Sequence, residues 1–103
     1  MHRDERALEI SEDIKNVLGI LNMRYPNFIR GDTIFKSMLV TNVEYTKQRL
    51  IRDFAFLSQK GYVMYRGNRG VEAQGISVNE CSFALTAEGY EVANGLTSDQ
   101  ALE

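Results

Sequence analysis

Apolar residues recur at three- and four-residue spacing early in the chain, at Ala7, Ile10, Ile14, Val17, Leu18 and Leu21. That rhythm predicts an amphipathic first helix from about Arg6 to Met23 with one broad apolar face. Asp4, Glu5 and Glu9 suit the positive end of its dipole. The helix must stop before Pro26, because the residue preceding a proline is steered away from helical dihedrals. Phe28-Ile29-Arg30 reads as a short extended piece. Asp32 is placed as the N-cap of a brief helix from Thr33 to about Leu39, with Ile34, Met38 and Leu39 facing inward. Thr41-Asn42-Val43-Glu44 then carries the reciprocal Thr-x-x-Glu capping pattern, with Val40 as the apolar residue just before it.

A third helix is accordingly expected from Thr41 or Asn42 to Lys60. Projected at about 100° per residue, Val43, Thr46, Leu50, Phe54 and Leu57 fall together and should enter the core. Tyr45, Gln48, Arg49, Arg52, Phe56 and Gln59 lie opposite and should be exposed. Gly61, directly after Lys60, is where a left-handed residue should close the helix. Tyr62-Val63-Met64-Tyr65 is rich in strand formers. Gly67, Gly70 and Gly75 mark a long hairpin, and Cys81 to Leu85 is its return strand. Thr86 begins a last helix to about Asn94, ended by Gly95. Two helices joined by so short a turn must cross steeply, which is the helix-turn-helix arrangement.

A chain of 103 residues has room for one core, and its single proline and lack of repeats mark no linker. One domain is expected over residues 1–96, with 97–103 as a frayed tail. No apolar run reaches the roughly 20 residues that span a bilayer, so no membrane partner is expected. The mixed-charge N-terminus and the lone Cys81 point to a reducing, cytoplasmic setting.

The formal charge of −2 conceals a segregation. Residues 1–23 hold three basic and five acidic side chains, residues 24–69 nine and three, and residues 70–103 none and six. A block of one sign is the footprint of a polyanion-binding face, or else an ordinary solvated surface with the acidic tail folded back over it.

Catalytic chemistry finds no footing. The one histidine, His2, lies near the N-terminus, one cysteine and one histidine cannot build a structural zinc site, and the phosphate-cradling Gly-x-x-x-x-Gly-Lys pattern is missing. No enzyme, cofactor, metal or small-molecule effector is expected.

Leu57-Ser58-Gln59-Lys60-Gly61-Tyr62-Val63, followed by Phe83-Ala84-Leu85-Thr86-Ala87-Glu88-Gly89-Tyr90, resembles winged-helix DNA-binding domains of bacterial regulators, the MarR, ArsR and PadR groups. The resemblance covers roughly Ile10 to Asn94. The minimal length is also similar to small winged-helix proteins of Mu-like prophages. It implies an α+β winged helix-turn-helix fold, with a three-helix core, a β-hairpin wing and a short C-terminal helix. It also implies sequence-specific binding of duplex DNA by a small transcriptional regulator. The ArsR metal-sensing motifs and the extra dimerisation helices of MarR and PadR proteins are absent.

On this resemblance the third helix is the reader. Arg49 and Arg52 would fork onto guanine or phosphate, and Gln48 would pair with adenine. Thr41, Asn42 and the helix N-terminus would hold a phosphate, while Tyr45 would contact backbone or base. Arg66, Asn68 and Arg69 would sit at the wing tip. The acidic segment from Glu72 to Glu103 would face away from the DNA. The first helix and Phe56 are the candidate surfaces for a homodimer, and Phe56 has the alternative of packing beneath the hairpin. The rival reading is a winged-helix adaptor, such as a phage packaging or structural accessory, that binds protein instead of DNA.

Overall fold

The computed structural model describes residues 5–67 and 81–97. Among them the order is α1 (Glu5–Asn22), β1 (Ile29–Arg30), α2 (Gly31–Thr41), α3 (Lys47–Gln59), β2 (Val63–Arg66), β3 (Ser82–Leu85) and α4 (Ala87–Ala93). The class is α+β, four helices with one three-stranded antiparallel sheet. Asn68 and Arg69 lie outside the described residues, as do residues 72–80 of the acidic segment and residues 98–103 of the expected tail.

The last strand in sequence is the central one, in the order β1-β3-β2. Phe83 lies opposite Ile29 on one side and Tyr65 on the other, and Leu85 lies opposite Val63. Flanked on both edges and covered by helices, β3 buries Phe83, Ala84 and Leu85 completely. Phe83 stacks on Phe54 of α3 with ring centroids 3.8 Å apart, joining sheet to helix at the middle of the core. Ile14, Val17 and Leu21 of α1, Ile34 and Met38 of α2, and Leu50 and Leu57 of α3 complete that core. Helices α1, α2 and α3 thus bury the central positions of the stripes that their periodicity predicts.

Two helix ends are closed by the same hydrogen-bond pattern. After α3, Gly61 takes φ +75°, the Tyr62 amide donates to the Leu57 carbonyl and the Gly61 amide to that of Ser58. After α4, Gly95 takes φ +70°, with Leu96 donating to Glu91 and Gly95 to Val92. This double bond satisfies carbonyls that a helix end would otherwise leave bare, and it needs a left-handed residue that glycine supplies without strain.

The segment between α2 and α3 departs from expectation. Helix α2 starts at Gly31 with Arg30 as its cap, and Asp32 lies in the first turn, where it accepts from the Thr33 amide. It runs on to Thr41. Asn42 then breaks it, because its side-chain oxygen accepts from the Glu44 amide and its carbonyl from the Tyr45 amide. An asparagine offering its own acceptor competes with helix propagation. The true cap of α3 is Thr46, whose hydroxyl accepts from the Arg49 amide at 3.2 Å. Val43 and Thr46, expected in the core, are therefore exposed, and Tyr45, expected outside, is buried at 3% exposure.

Thr86 caps α4 by accepting from the Gly89 amide, while its hydroxyl donates to the Gly61 carbonyl at 2.6 Å. Gly89 is needed for a separate reason: a Cβ there would lie 1.9 Å from the Tyr62 carbonyl oxygen. The Thr-x-x-Gly sequence after β3 thus combines a helix cap with a close approach to the backbone entering β2. Overpacking against backbone cannot be relieved by rotating a side chain, so Gly89→Ala should destabilise the fold by about 2 kcal/mol or more. Urea denaturation compared with wild type checks this, and an unchanged midpoint would show that α4 can retreat freely.

Candidate nucleic-acid interface

Helix α3 buries Leu50, Asp53, Phe54 and Leu57. Asp53 is the exception in that set, an acid at a core position with no exposure at all. A sealed carboxylate requires donors, and it has them. The Tyr45 hydroxyl donates to Oδ2 at 2.7 Å, and Arg52 donates to Oδ1 through Nε at 3.2 Å and Nη2 at 3.1 Å. Tyr45 turns inward because it precedes the helix, and its ring joins the core cluster that contains Leu50.

The network continues onto α1. Arg49 grips Asp13 with two parallel bonds, Nε to Oδ2 at 3.1 Å and Nη2 to Oδ1 at 2.8 Å. Arg52 reaches Asp13 at 2.7 Å and Glu9 at 3.1 Å. Glu9 and Asp13 stand one turn apart on α1, as Arg49 and Arg52 do on α3, so each arginine reaches both acids and the four side chains form one cross-linked cluster between the helices. The Arg49 guanidinium also lies 5.2 Å from the Tyr45 ring centre. Only 18% of the Arg49 side chain and 26% of the Arg52 side chain reach solvent.

Titration behaviour follows the geometry. Burial, opposed by the Tyr45 hydrogen bond and reinforced by the Asp13 charge, pushes the Asp53 carboxyl up from 3.8 to about 7. Burial and the neighbouring Asp53 hold the Tyr45 hydroxyl protonated far above its ordinary range. The hydrogen bond to Asp13 raises Arg49. Burial opposes the charge of Arg52, but its bonds to Glu9 and Asp53 outweigh that and raise it as well.

The expected site residues therefore divide. Tyr45, Arg49 and Arg52 come together, but as an internal network joining α3 to α1 and not as an outward face. Thr41 ends α2 and is exposed, while Asn42 is half-buried with its oxygen engaged. Both line an open groove of about 460 Å³ between α1 and the α2–α3 turn, together with Glu9, Glu12, Glu44 and Arg49. Gln48 is exposed at the start of α3. Arg66 is exposed at the end of β2, its guanidinium 4.4 Å from the Phe28 ring centre. Phe56, expected outside, is half-buried against the core.

Lys47, Ile51 and Ala55, not singled out from sequence, complete the outer face of α3 beside the expected Gln48 and Gln59. Lys47 is exposed and lies over the Phe35 ring of α2 at 5.8 Å. Gln48, Ile51, Ala55 and Gln59 form a stripe at three- and four-residue spacing, Ile51 and Ala55 partly exposed. Its sign in the sequence is what remains of α3 once the flank that faces α1 is removed. Among the described residues, no group of three or more His, Cys, Asp or Glu side chains is placed to hold a metal ion, and no helix is long and apolar enough to cross a membrane. No protein-family model, curated protein or solved structure matches the chain.

Removing Arg52 would leave Asp53 with one donor and Asp13 with one cation. Arg52→Ala should cost about 2–4 kcal/mol in chemical denaturation, against roughly 0.5 kcal/mol or less for a freely solvated arginine. Arg49→Ala should cost less, since Arg52 still serves Asp13. Equal and negligible losses would show that the network contributes nothing.

Asp53 also links stability to pH. A carboxyl held above its ordinary value binds its proton more tightly in the folded chain than in the unfolded one. Its contribution is therefore complete below about pH 4 and lost as pH rises through about 7. Wild type should lose stability relative to Asp53→Asn across that window when both are denatured in urea at its two ends. A difference independent of pH would show that Asp53 does not titrate there.

Proposed function

We propose that this chain is a winged helix-turn-helix domain that binds duplex DNA, in the manner of a small transcriptional regulator. In this reading α2, the Asn42–Thr46 turn and α3 form the helix-turn-helix, and β2 and β3 are the stems of the wing. One observation supports it above the others: the single acid of α3, Asp53, is buried, so every exposed side chain on that helix is neutral or basic. An anionic duplex can approach that face without meeting a carboxylate from α3. Lys36 on the outer side of α2 and Lys47 at the head of α3 are the cations best placed for phosphates, and Arg66 is the one on the wing stem. Arg49 and Arg52, already paired, act as positioning residues that set α3 against α1. Thr41 and Asn42 border the acidic groove, which disfavours a phosphate there, so the phosphate contact moves to the amides and side chains of Lys47 and Gln48.

A second reading, the protein-binding adaptor, draws support from the other side of the turn. Val40 and Val43 are 87% and 83% exposed beside that carboxylate-lined groove, a surface suited to a basic, apolar protein segment.

Fluorescence anisotropy of a labelled random duplex separates the two. Affinity should fall steeply between about 50 and 200 mM salt, with a log–log slope of roughly −0.9 per phosphate neutralised. The Lys36→Ala/Lys47→Ala variant should flatten that slope by about 2. Absence of binding at the low-salt end would transfer the assignment to the adaptor.

A further inference from the structure

Resting on the DNA-binding reading, we infer that the base-reading surface recognises A·T pairs through Gln48, Ile51 and Ala55, and does not use arginine to read guanine. Two independent features of α3 lead there. The side chains chemically suited to guanine, Arg49 and Arg52, are committed to Asp13, Glu9 and Asp53 at 2.7–3.2 Å. Swinging either into a groove would break several charge-assisted bonds and, for Arg52, strip a fully buried carboxylate of a partner. The stripe that remains carries an exposed amide followed by two partly exposed aliphatic groups, of which Ile51 also packs against the core.

The chemistry of that stripe matches one kind of base pair. A glutamine amide donates and accepts at once, which matches the N7 acceptor and N6 donor of adenine. Aliphatic groups such as those of Ile51 and Ala55 match the thymine 5-methyl, which no other base presents in the major groove. Gln48 and Ala55 are seven residues apart, about 10 Å along the helix at 1.5 Å per residue, or roughly three base steps at 3.4 Å each. Gln48 would take the adenine at one end, with Ile51 and Ala55 against thymine methyls on the following steps. Lys47 lies at the edge of the stripe, held over Phe35, where it serves the backbone.

The test is selection from a random duplex pool with full-length protein, then anisotropy on the enriched site. An A·T-rich core of about four pairs is expected. Replacing its thymines with deoxyuridine, which removes only the methyl groups, should weaken binding about 3- to 5-fold per methyl contacted. Ile51→Ala, checked first for an unchanged urea midpoint because Ile51 also packs against the core, should remove the part of that thymine–uracil difference that belongs to its own step and leave the Ala55 step. Gln48→Ala, a surface change that leaves the core intact, should relax the adenine preference about 10-fold or more. A G·C-rich core, or an A·T core indifferent to both deoxyuridine and Gln48→Ala, would overturn this assignment while leaving DNA binding standing. Failure to retain any duplex would overturn the binding reading and this inference together.

Discussion

A carboxylate sealed from water must be answered by donors, and Asp53 is sealed completely. Its two oxygens determine where Tyr45 and Arg52 go. Arg52, once drawn across the helix, presents its remaining N–H groups to Asp13 and Glu9, and Arg49 takes the other side of Asp13. The angular setting of α3 about its own axis is thereby fixed relative to α1. Replacing such a buried set with well-packed apolar residues is often neutral or stabilising in other proteins. Its value here is orientation: it decides which stripe of α3 faces solvent.

Most of the architecture is legible in the chain because its signals are local. Gly61 and Gly95 mark helix ends that need a left-handed residue, Thr86 marks a cap, and the apolar stripes of α1 and α3 select their buried faces. The expectation fails between residues 41 and 46, where two capping patterns compete five residues apart. Thr41-x-x-Glu44 has the better side chains, but Asn42 satisfies the intervening amides by itself and Thr46 takes the cap. Tyr45 changes sides as a result. The exposure of Arg49 and Arg52 is illegible for a different reason. A single-helix projection places them correctly around the axis, yet only contacts 36 to 43 residues distant along the chain reveal that α1 covers that flank. One clue was present: Asp53 falls among Leu50, Phe54 and Leu57, and an acid on a buried stripe implies partners somewhere.

Charge teaches a related lesson. The excess of basic residues between 24 and 69 is a property of the sequence, and part of it disappears in space. Glu9 and Asp13 from the acidic N-terminal block close over two of those nine cations. Among the described residues, the exposed positive charge on this side lies at Lys36 of α2, Lys47 of α3 and Arg66 of β2, beside a groove lined by carboxylates. The two sides of the α2–α3 turn therefore carry charge of opposite sign, and under the proposed reading they would orient an anionic partner.

The central position of β3 has a consequence for how the chain is made. Neither β1 nor β2 pairs with the other; each bonds only to β3, which is synthesised last. A chain halted before Ser82 therefore lacks every one of these strand pairings, and the Phe54 ring has no Phe83 to stack on. Helices α1, α2 and α3 can pack on one another before then, but the part of their apolar surface that faces β3 is covered only once Phe83, Ala84 and Leu85 have been made. The sheet pairing, the ring stack and the start of α4 thus all depend on the same short stretch of chain, from Ser82 to Gly89.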